Sequence, residues 1–247
     1  SECPAPPVAP VDAEQTKFAM SLFHYNIEYV IGGLEVVDEA GELVTVGGFE
    51  DAAGWGNDAV EDWIVAETLV PILEMYAKHP TWQVTIELQA YMVEIMAERH
   101  PGALDLLREL AQAGQVELVS FHYAAQLFLA FPREDLERSL VLTRDLFETH
   151  CLPLSGVVFN QEGQAGEGRQ QMLVDEGYEI GVYPKNLWGY VRHGEIPWPY
   201  YESEGGTLIV GPGDVDPSSG VQVAWDFFDD GELRAIEGGM NPYFAYA

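Results

Sequence analysis

Short apolar runs alternate with amphipathic segments along most of the chain, and this alternation restricts the fold more than any other feature. Residues Phe18–Tyr25 read FAMSLFHY and are apolar on both faces, as in a strand of a parallel sheet covered by helices. Residues Asp58–Lys78 repeat apolar side chains at helical spacing. Alternation of this kind predicts an α/β fold with parallel strands, closed into a single barrel of about seven strands.

The remaining elements continue the same pattern. Strands are predicted over Trp82–Leu88 and over QVELVSF, SGVVFN, YEIGVY, GTLIVG and VQVAWDFF. Helices are predicted over Gln89–Arg99, Pro101–Ala113, Pro132–His150 and GEGRQQMLVDEG, and a small hairpin within IGGLEVVDEAGELVTVGG. Residues 184–205, rich in Trp, Tyr, Pro and Gly, are predicted to form a long loop, which is typical of a binding surface. The chain therefore divides into a Pro-rich tether, residues 1–16, and one barrel domain, residues 17–247.

Composition limits the partners of such a domain. With 47% hydrophobic residues among 247, the chain can bury a sizeable core. Its 41 acidic and 11 basic side chains give a net charge of −30, which repels nucleic acid and favours a neutral or cationic ligand, although solubility alone would also explain the charge. No apolar run approaches the roughly 18–20 residues of a membrane span. Nothing in the composition fixes an oligomeric state.

The first residues, SECPAPPVAP, are typical of a tether left after removal of a signal peptide and predict export, although cleavage of an expression tag would give the same start. Cys3 and Cys151 are the two cysteines. They would form a disulfide in an exported protein, or Cys151 would be a buried free thiol. Their spacing does not match a zinc or redox site.

Polar residues collect where the predicted strands end. These residues are His24, Asn26 and Glu28 after the first strand, Glu87 and Gln89 after the second, His122 and Tyr123 after the third, Glu162 after the fourth, and Asp229, Asp230 and Glu232 after the last. In a parallel barrel these ends share one rim, so the pattern predicts a pocket there. Structural roles are the alternative for some of them, namely a core histidine for His24, an arginine partner for Glu87 and a turn cap for Asp229. Glu162 lies between an apolar strand and Gly163, in a turn where backbone can approach a ligand.

The longest distinctive stretch reads GQVELVSFHYAAQLFLAFPREDLERSLVLTRDLFETHCLPLSGVVFNQEGQ, and from about Phe18 to Glu232 the chain resembles glycoside hydrolase family 57. The shared features are a Gly-x-Val-Glu strand, an aromatic–His segment, a Pro-Arg-Glu-Asp helix start and a strand followed by the nucleophilic glutamate. The resemblance implies a (β/α)7 barrel that acts mainly on α-glucans. His24 matches the first His of the family's opening motif, whereas Asn26 and Glu28 stand where the family has His and Pro.

The resemblance also implies roles for two carboxylates. Glu162 falls on the nucleophile, and Asp230 in DDGEL falls on the acid/base, with Asp229 as the neighbouring alternative. Such a pair would retain the anomeric configuration without a metal or other cofactor. The substrate-binding residues implied at the same rim are His24, Asn26, Glu28, Glu87, His122, Trp188, Trp198 and Asp229, for a saccharide substrate.

Two other functions remain open at this point. An exported carbohydrate-binding or scaffold protein could keep the barrel without turnover. A deacetylase-like barrel could bind a divalent metal through His24, Asn26, Glu162 and His122, but asparagine is a poor ligand for zinc.

Overall fold

The computed structural model describes residues 3–7, 20–25, 34–37, 41, 43–46, 56–120, 122–124, 131–159, 169–184, 200–203, 206–211 and 242–246. In this part of the chain the strands are β1 (Met20–Tyr25), β2 (Leu34–Val37), β3 (Leu43–Val46), β4 (Val84–Leu88), β5 (Val116–Val119), β6 (Val157–Phe159), β7 (Ile180–Pro184), β8 (Tyr200–Ser203), β9 (Gly206–Gly211) and β10 (Pro242–Tyr246). The helices are α1 (Asn57–Ile64), a π-helical turn (Val65–Leu69), α2 (Val70–Lys78), α3 (Ala90–Arg99), α4 (Pro101–Gln112), α5 (Arg133–Thr149) and α6 (Arg169–Asp175).

The strands form two four-stranded sheets and one hairpin. In the first sheet β1, β4 and β5 are parallel and β10 is antiparallel to β1, in the order β10-β1-β4-β5. In the second sheet β6, β7 and β9 are parallel and β8 is antiparallel to β9, in the order β6-β7-β9-β8. The hairpin pairs β2 with β3. The predicted α/β class, the parallel strands and the hairpin are confirmed.

The two sheets meet edge to edge. A parallel bridge joins Leu118 of β5 to Leu154, just before β6, and the Ser155 amide donates to the Leu118 carbonyl at 2.8 Å. β6 therefore follows β5 as the next strand would in a continuous sheet. Closure of these strands into a barrel involves residues outside the described part, so the barrel stays a prediction.

One face of the first sheet is covered by helices. Ile86 and Leu88 of β4 are fully buried in a core cluster that also takes side chains from α1 to α5. A smaller cluster is formed by Val119, which alternates along β5 with the core residue Leu118, and by Phe159 of β6. Val157 and Val182 pack against these two side chains. Apolar packing on both faces explains why the strands read as continuous apolar runs rather than alternating ones.

The helix between the hairpin and β4 contains a π-helical turn at Val65–Leu69. Such turns widen the helix locally and leave carbonyls available to other donors. The Tyr25 hydroxyl, at the end of β1, donates to the Thr68 carbonyl at 3.2 Å. Burial raises the pKa of Tyr25 well above its usual value, so this hydroxyl is a donor at any physiological pH. The turn thus fixes the carboxyl end of β1 against the helix layer.

The prediction of a loop over residues 184–205 is wrong for its last part. Tyr200–Ser203 form β8, which pairs antiparallel with β9 through the contacts Ser203–Gly206 and Glu202–Thr207. A two-residue connection between such runs is a hairpin arrangement. The Trp, Tyr and Pro content of the whole segment obscured this short strand. The strand predicted over VQVAWDFF lies outside the described residues.

The N-terminal arm, residues 3–7, is exposed along its length, is covalently attached at Cys3 and passes close to Gly114. Cys3 forms a disulfide with Cys151, which follows α5, at a sequence separation of 148. Farther along, the Pro7 carbonyl oxygen would be 3.3 Å from a Cβ atom built on Gly114. The bridged alternative for the two cysteines is therefore confirmed. No helix in the described part of the chain has the length and apolar character needed to cross a membrane.

The disulfide should contribute strongly to stability, because it closes most of the chain into one loop. Replacing both cysteines by serine should lower the free energy of unfolding by up to about 5 kcal/mol on the chain-entropy model. Urea denaturation followed by tryptophan fluorescence would measure the difference between the oxidised protein and the double variant. Reduced wild-type protein is the control and should match the double variant. An unchanged midpoint would contradict a stabilising bridge.

Candidate functional site

The carboxyl ends of β1, β4, β5 and β6 lie side by side, and we call this edge the rim. In the backbone register His24 of β1 is aligned with Glu87 of β4, and Glu87 is aligned with Val119 of β5. In parallel α/β folds the reacting groups sit at this end of the strands. The rim is therefore the candidate site.

Two polar residues end β4 in a shielded position. Glu87 is 5% exposed and Gln89 is 3% exposed. Glu87 alternates with Ile86 and Leu88, which pack in the core cluster under the helices. The alternation places the carboxyl group on the opposite face, toward the interior of the predicted barrel. A shielded carboxyl group there suits recognition of a polar ligand that brings its own hydrogen bonds.

The segment after β5 is held by its neighbours on both sides. The Ala90 and Tyr91 amides, in the first turn of α3, donate to the carbonyls of His122 and Tyr123 at 3.0 and 2.7 Å. The Tyr123 amide donates to the Ser139 hydroxyl of α5 at 2.8 Å. The His122 ring, 3% exposed, is thereby presented on a backbone tied to two helices. Fixed backbone is what a binding group at a rim requires.

A hydrogen bond between Ser120 and Tyr178 connects the end of β5 to the segment that precedes β7. Ser120 directly follows β5 and is fully buried. Its carbonyl accepts from the Tyr178 hydroxyl at 2.7 Å. Burial raises the pKa of Tyr178, so the hydroxyl keeps the proton that this hydrogen bond needs.

A chain of charged and phenolic groups supports the start of α3 from outside. The Tyr91 hydroxyl donates to Glu61 at 2.9 Å, and Arg99 pairs with both Glu61 and Asp62. The His100 ring lies 2.7 Å from the same Asp62 carboxylate. The hydrogen bond from Arg99 holds the pKa of Asp62 below its usual value. These contacts join α1 to α3 and fix the turn that carries Tyr91.

Tyr123, in the segment after β5, adds a second phenol that contacts α3. The Tyr123 hydroxyl donates to Glu94 at 2.5 Å, and this hydrogen bond, with a smaller effect of burial, raises the pKa of Tyr123 to about 12. The Tyr91 and Tyr123 rings are 6.0 Å apart, inclined at 53°. The two tyrosines thus bind the segment after β5 to α3 through side chains as well as backbone.

Of the predicted site residues, Glu87 and His122 are both buried, Glu87 near the carboxyl end of β4 and His122 three residues after β5. His24 is described through its backbone position in β1. The other predicted site residues lie outside the described part: Asn26, Glu28, Glu162, Trp188, Trp198, Asp229 and Asp230. β6 ends at Phe159, three residues before Glu162.

Sequence reasoning missed Ser120 and the supporting residues Glu61, Tyr91 and Arg99. The only signal for Glu61 was its position three residues before Ile64, on the apolar side of α1, where a carboxylate needs a partner. Among the described residues there is no group of three or more His, Cys, Asp or Glu side chains that could hold a metal ion. The metal-binding alternative depends on Asn26 and Glu162, outside that part of the chain.

Comparison with known proteins identifies one family. The profile of glycosyl hydrolase family 57 matches residues 49–210. The α-amylase of Pyrococcus horikoshii is 27% identical over 164 residues, which are 60% of this chain and 24% of that protein. The crystal structure of 4-α-glucanotransferase from Thermococcus litoralis has a TM-score of 0.56 at 22% identity, covering 70% of this chain and 29% of that one. An α-amylase from Thermotoga maritima has a TM-score of 0.53 at 12% identity, covering 83% and 46%.

These likenesses differ in what they establish. The two solved structures share the fold with this chain, at identities too low to transfer a substrate. The chain spans about a quarter of the length of the curated relatives it matches. The profile match includes the segment that leads from β6 to Glu162 and ends before Asp229 and Asp230.

The Glu61–Arg99 pair should be important for stability. Replacing Arg99 by Met keeps much of the volume but removes the guanidinium beside a carboxylate that is 2% exposed. We expect a loss of about 2–3 kcal/mol in the free energy of unfolding, less than for a fully enclosed pair because Arg99 is 25% exposed. Chemical denaturation would measure it.

The matched control is Arg133→Met. Arg133 pairs with Glu137 on the surface of α5 and with Asp175 of α6, and the three side chains are 54%, 41% and 42% exposed. Solvent screens such a pair, so the midpoint should hardly move. Equal losses in the free energy of unfolding for the two substitutions would contradict a special contribution of the Glu61–Arg99 pair to stability.

Proposed function

The chain belongs to glycosyl hydrolase family 57, whose profile matches about two thirds of it, and we propose that it is a glycoside hydrolase or transglycosidase acting at the rim. The observation that carries this proposal is the position of Glu162. In the sequence Glu162 comes three residues after the parallel strand β6, inside the matched segment, and β6 follows β5 at the edge where the buried Glu87 and His122 lie. In parallel α/β barrels the active site is built at the carboxyl ends of the strands, which supports a chemical role for a glutamate that follows β6.

The proposed mechanism uses two carboxylates. Ionised Glu162 attacks the anomeric carbon while protonated Asp230 gives its proton to the leaving oxygen, forming a covalent glycosyl–enzyme intermediate. Asp230 then takes a proton from the incoming water or sugar hydroxyl as that oxygen displaces Glu162. A retaining pair of this kind would hold its carboxyl groups about 5–5.5 Å apart. Asp230 is assigned from the DDGEL motif alone, and Asp229 remains its alternative.

The other rim residues would bind the sugar. Glu87 and His122 offer a carboxylate and an imidazole from rigid backbone, and His24 is aligned beside Glu87 in the neighbouring strand. Asn26, Glu28, Trp188 and Trp198 complete the proposed set, with the indole rings as stacking surfaces.

The proposed architecture is the (β/α)7 barrel of the family. The adjoining edges of β5 and β6 support it, because they place two sheets in sequence. The fold shared with the two solved structures supports it as well. The antiparallel strands β8 and β10 would then lie near the closure.

We propose an α-glucan-like saccharide as the substrate. The support is that relatives carry the names α-amylase and 4-α-glucanotransferase. Export to an oxidising compartment is likewise a proposal, supported by the Cys3–Cys151 disulfide.

Replacing Glu162 by Gln should abolish turnover while keeping side-chain volume. We expect glycosyl transfer from maltooligosaccharides to fall by about three orders of magnitude or more, because the nucleophile is lost. Chromatography of the products would detect both hydrolysis and disproportionation. Glu74→Gln, at an exposed position of α2, is the control and should retain full activity. Unchanged activity of Glu162→Gln would overturn the assignment, and saccharide binding by wild-type protein without turnover would favour the carbohydrate-binding alternative.

Asp230 should matter most for poor leaving groups. Asp230→Asn should reduce kcat/KM for maltooligosaccharides far more than for activated aryl glycosides, since an activated leaving group needs little protonation. The ratio of the two kcat/KM values is the measurement. Asp229→Asn serves as the matched neighbour and should leave that ratio close to wild type. The reverse pattern would assign the acid/base role to Asp229.

A further inference from the structure

A cavity lies at the opposite end of the strands from the rim. It has a volume of about 450 Å³ and is open to solvent between the N-terminal arm and the amino ends of β4 and β5. Pro6 and Pro7 form part of one wall. Its polar lining consists of Gln83, Thr85, Gln115, Glu117 and Ser155. Nothing in the proposed glycosyl transfer uses this end of the molecule.

Among the described residues that line the cavity, Glu117 is a carboxylate for which no positively charged partner is found in the same part of the chain. Glu117 accepts from the Thr85 hydroxyl at 3.1 Å and from the Ser155 hydroxyl at 2.7 Å. Both donors are neutral, and no Lys, Arg or His among the described residues forms an ion pair with Glu117. Its side chain is exposed to the cavity, so the negative charge is available to a ligand.

The hydrogen-bond donors around this carboxylate are already used within the protein. The Thr85 and Ser155 hydroxyls point to Glu117, as described. The Gln83 amide nitrogen donates to the Gly114 carbonyl at 3.1 Å, and that of Gln115 donates to the Tyr76 and His79 carbonyls at 3.0 and 3.1 Å.

The backbone N–H groups that line the cavity are largely bonded within the protein as well. The amides of Val84, Gly114, Gln115 and Ser155 are bonded to carbonyls, and proline has no N–H. The cavity therefore presents acceptors and charge, so a ligand must supply the donors.

We propose that this cavity binds a small organic cation, an ammonium or guanidinium group on a short aliphatic stem. The charged end would lie against Glu117, in a charge-assisted hydrogen bond. The stem would pack on the rings of Pro6 and Pro7. A bare divalent metal fits less well, because calcium takes six to eight oxygen ligands and this cavity offers a single carboxylate. The net charge of −30 adds a general attraction for cations.

The arm makes the site depend on the disulfide. Pro6 and Pro7 lie a few residues from Cys3, which is bonded to Cys151. Residues Pro153 and Ser155, after Cys151, line the same cavity. The bridge therefore joins two walls, and its removal frees the wall formed by the prolines.

The test is a titration with cadaverine at about 0.15 M salt, which screens diffuse attraction to the acidic surface. Isothermal calorimetry would give the affinity. Backbone NMR would locate the binding site through chemical-shift changes at Thr85 and Ser155. 1,5-Pentanediol, of similar length without charge, is the ligand control. Nα-acetyl-lysine methylamide represents a lysine side chain of a polypeptide, whereas cadaverine represents a free amine. Binding of either compound supports an ammonium site, and their relative affinities distinguish the two sources.

Two variants decide the outcome. Glu117→Gln should weaken cadaverine binding about tenfold or more, whereas Glu109→Gln, an exposed glutamate of α4, should not. The Cys3→Ser/Cys151→Ser variant, checked for a folded state by tryptophan fluorescence, should also bind cadaverine more weakly. Glu117→Asp, which draws the carboxylate back from the cavity, replaces Glu117→Gln should the latter fail to fold. The proposal is overturned if cadaverine does not bind, if 1,5-pentanediol binds as well, if Glu117→Gln and Glu109→Gln behave alike, or if freeing the arm leaves the affinity unchanged.

Discussion

The register of β4 between β1 and β5 is the constraint on which both ends of the molecule depend. Side chains alternate across a strand, so a shift by one residue would exchange the two faces. Ile86 and Leu88 would then leave the core under the helices, and Glu87 would enter it. The apolar burial that fixes the fold therefore also fixes which polar groups reach the rim and the cavity below.

Basic residues are scarce in this chain, and several of its arginines form ion pairs with carboxylates. Lys and Arg together number 11, against 41 acidic residues. In the described part of the chain Arg99, Arg108, Arg133 and Arg144 each pair with Asp or Glu. The pair of Arg99 with Glu61 differs from the others because its carboxylate is buried, and through Tyr91 it supports the segment that carries His122. The ion pairs are thus local contacts in a protein whose net charge is −30.

The parts of the fold that sequence could predict are those with a repeated physical signal. Runs apolar on both faces predicted the parallel strands, and with them the pairing of β1, β4 and β5 that aligns His24 with Glu87. β8 was missed because a four-residue strand has too few alternations to stand out among Trp, Tyr and Pro. Glu61 was missed because helical periodicity counts apolar residues, and its partner Arg99 is 38 positions away. Contacts that depend on tertiary distance leave no local pattern in the sequence.

The Cys3–Cys151 bond also changes what a protease can do to this molecule. It turns residues 3–151 into a covalent ring that includes β1, β4, β5 and all of α1 to α5. A single cut anywhere between the two cysteines opens the ring without separating the chain into two molecules. The elements on either side of such a nick would stay tethered at the base of the sheet, close enough to re-form their pairing. A single cleavage inside the ring would therefore leave one covalently connected molecule as long as the disulfide stays oxidised.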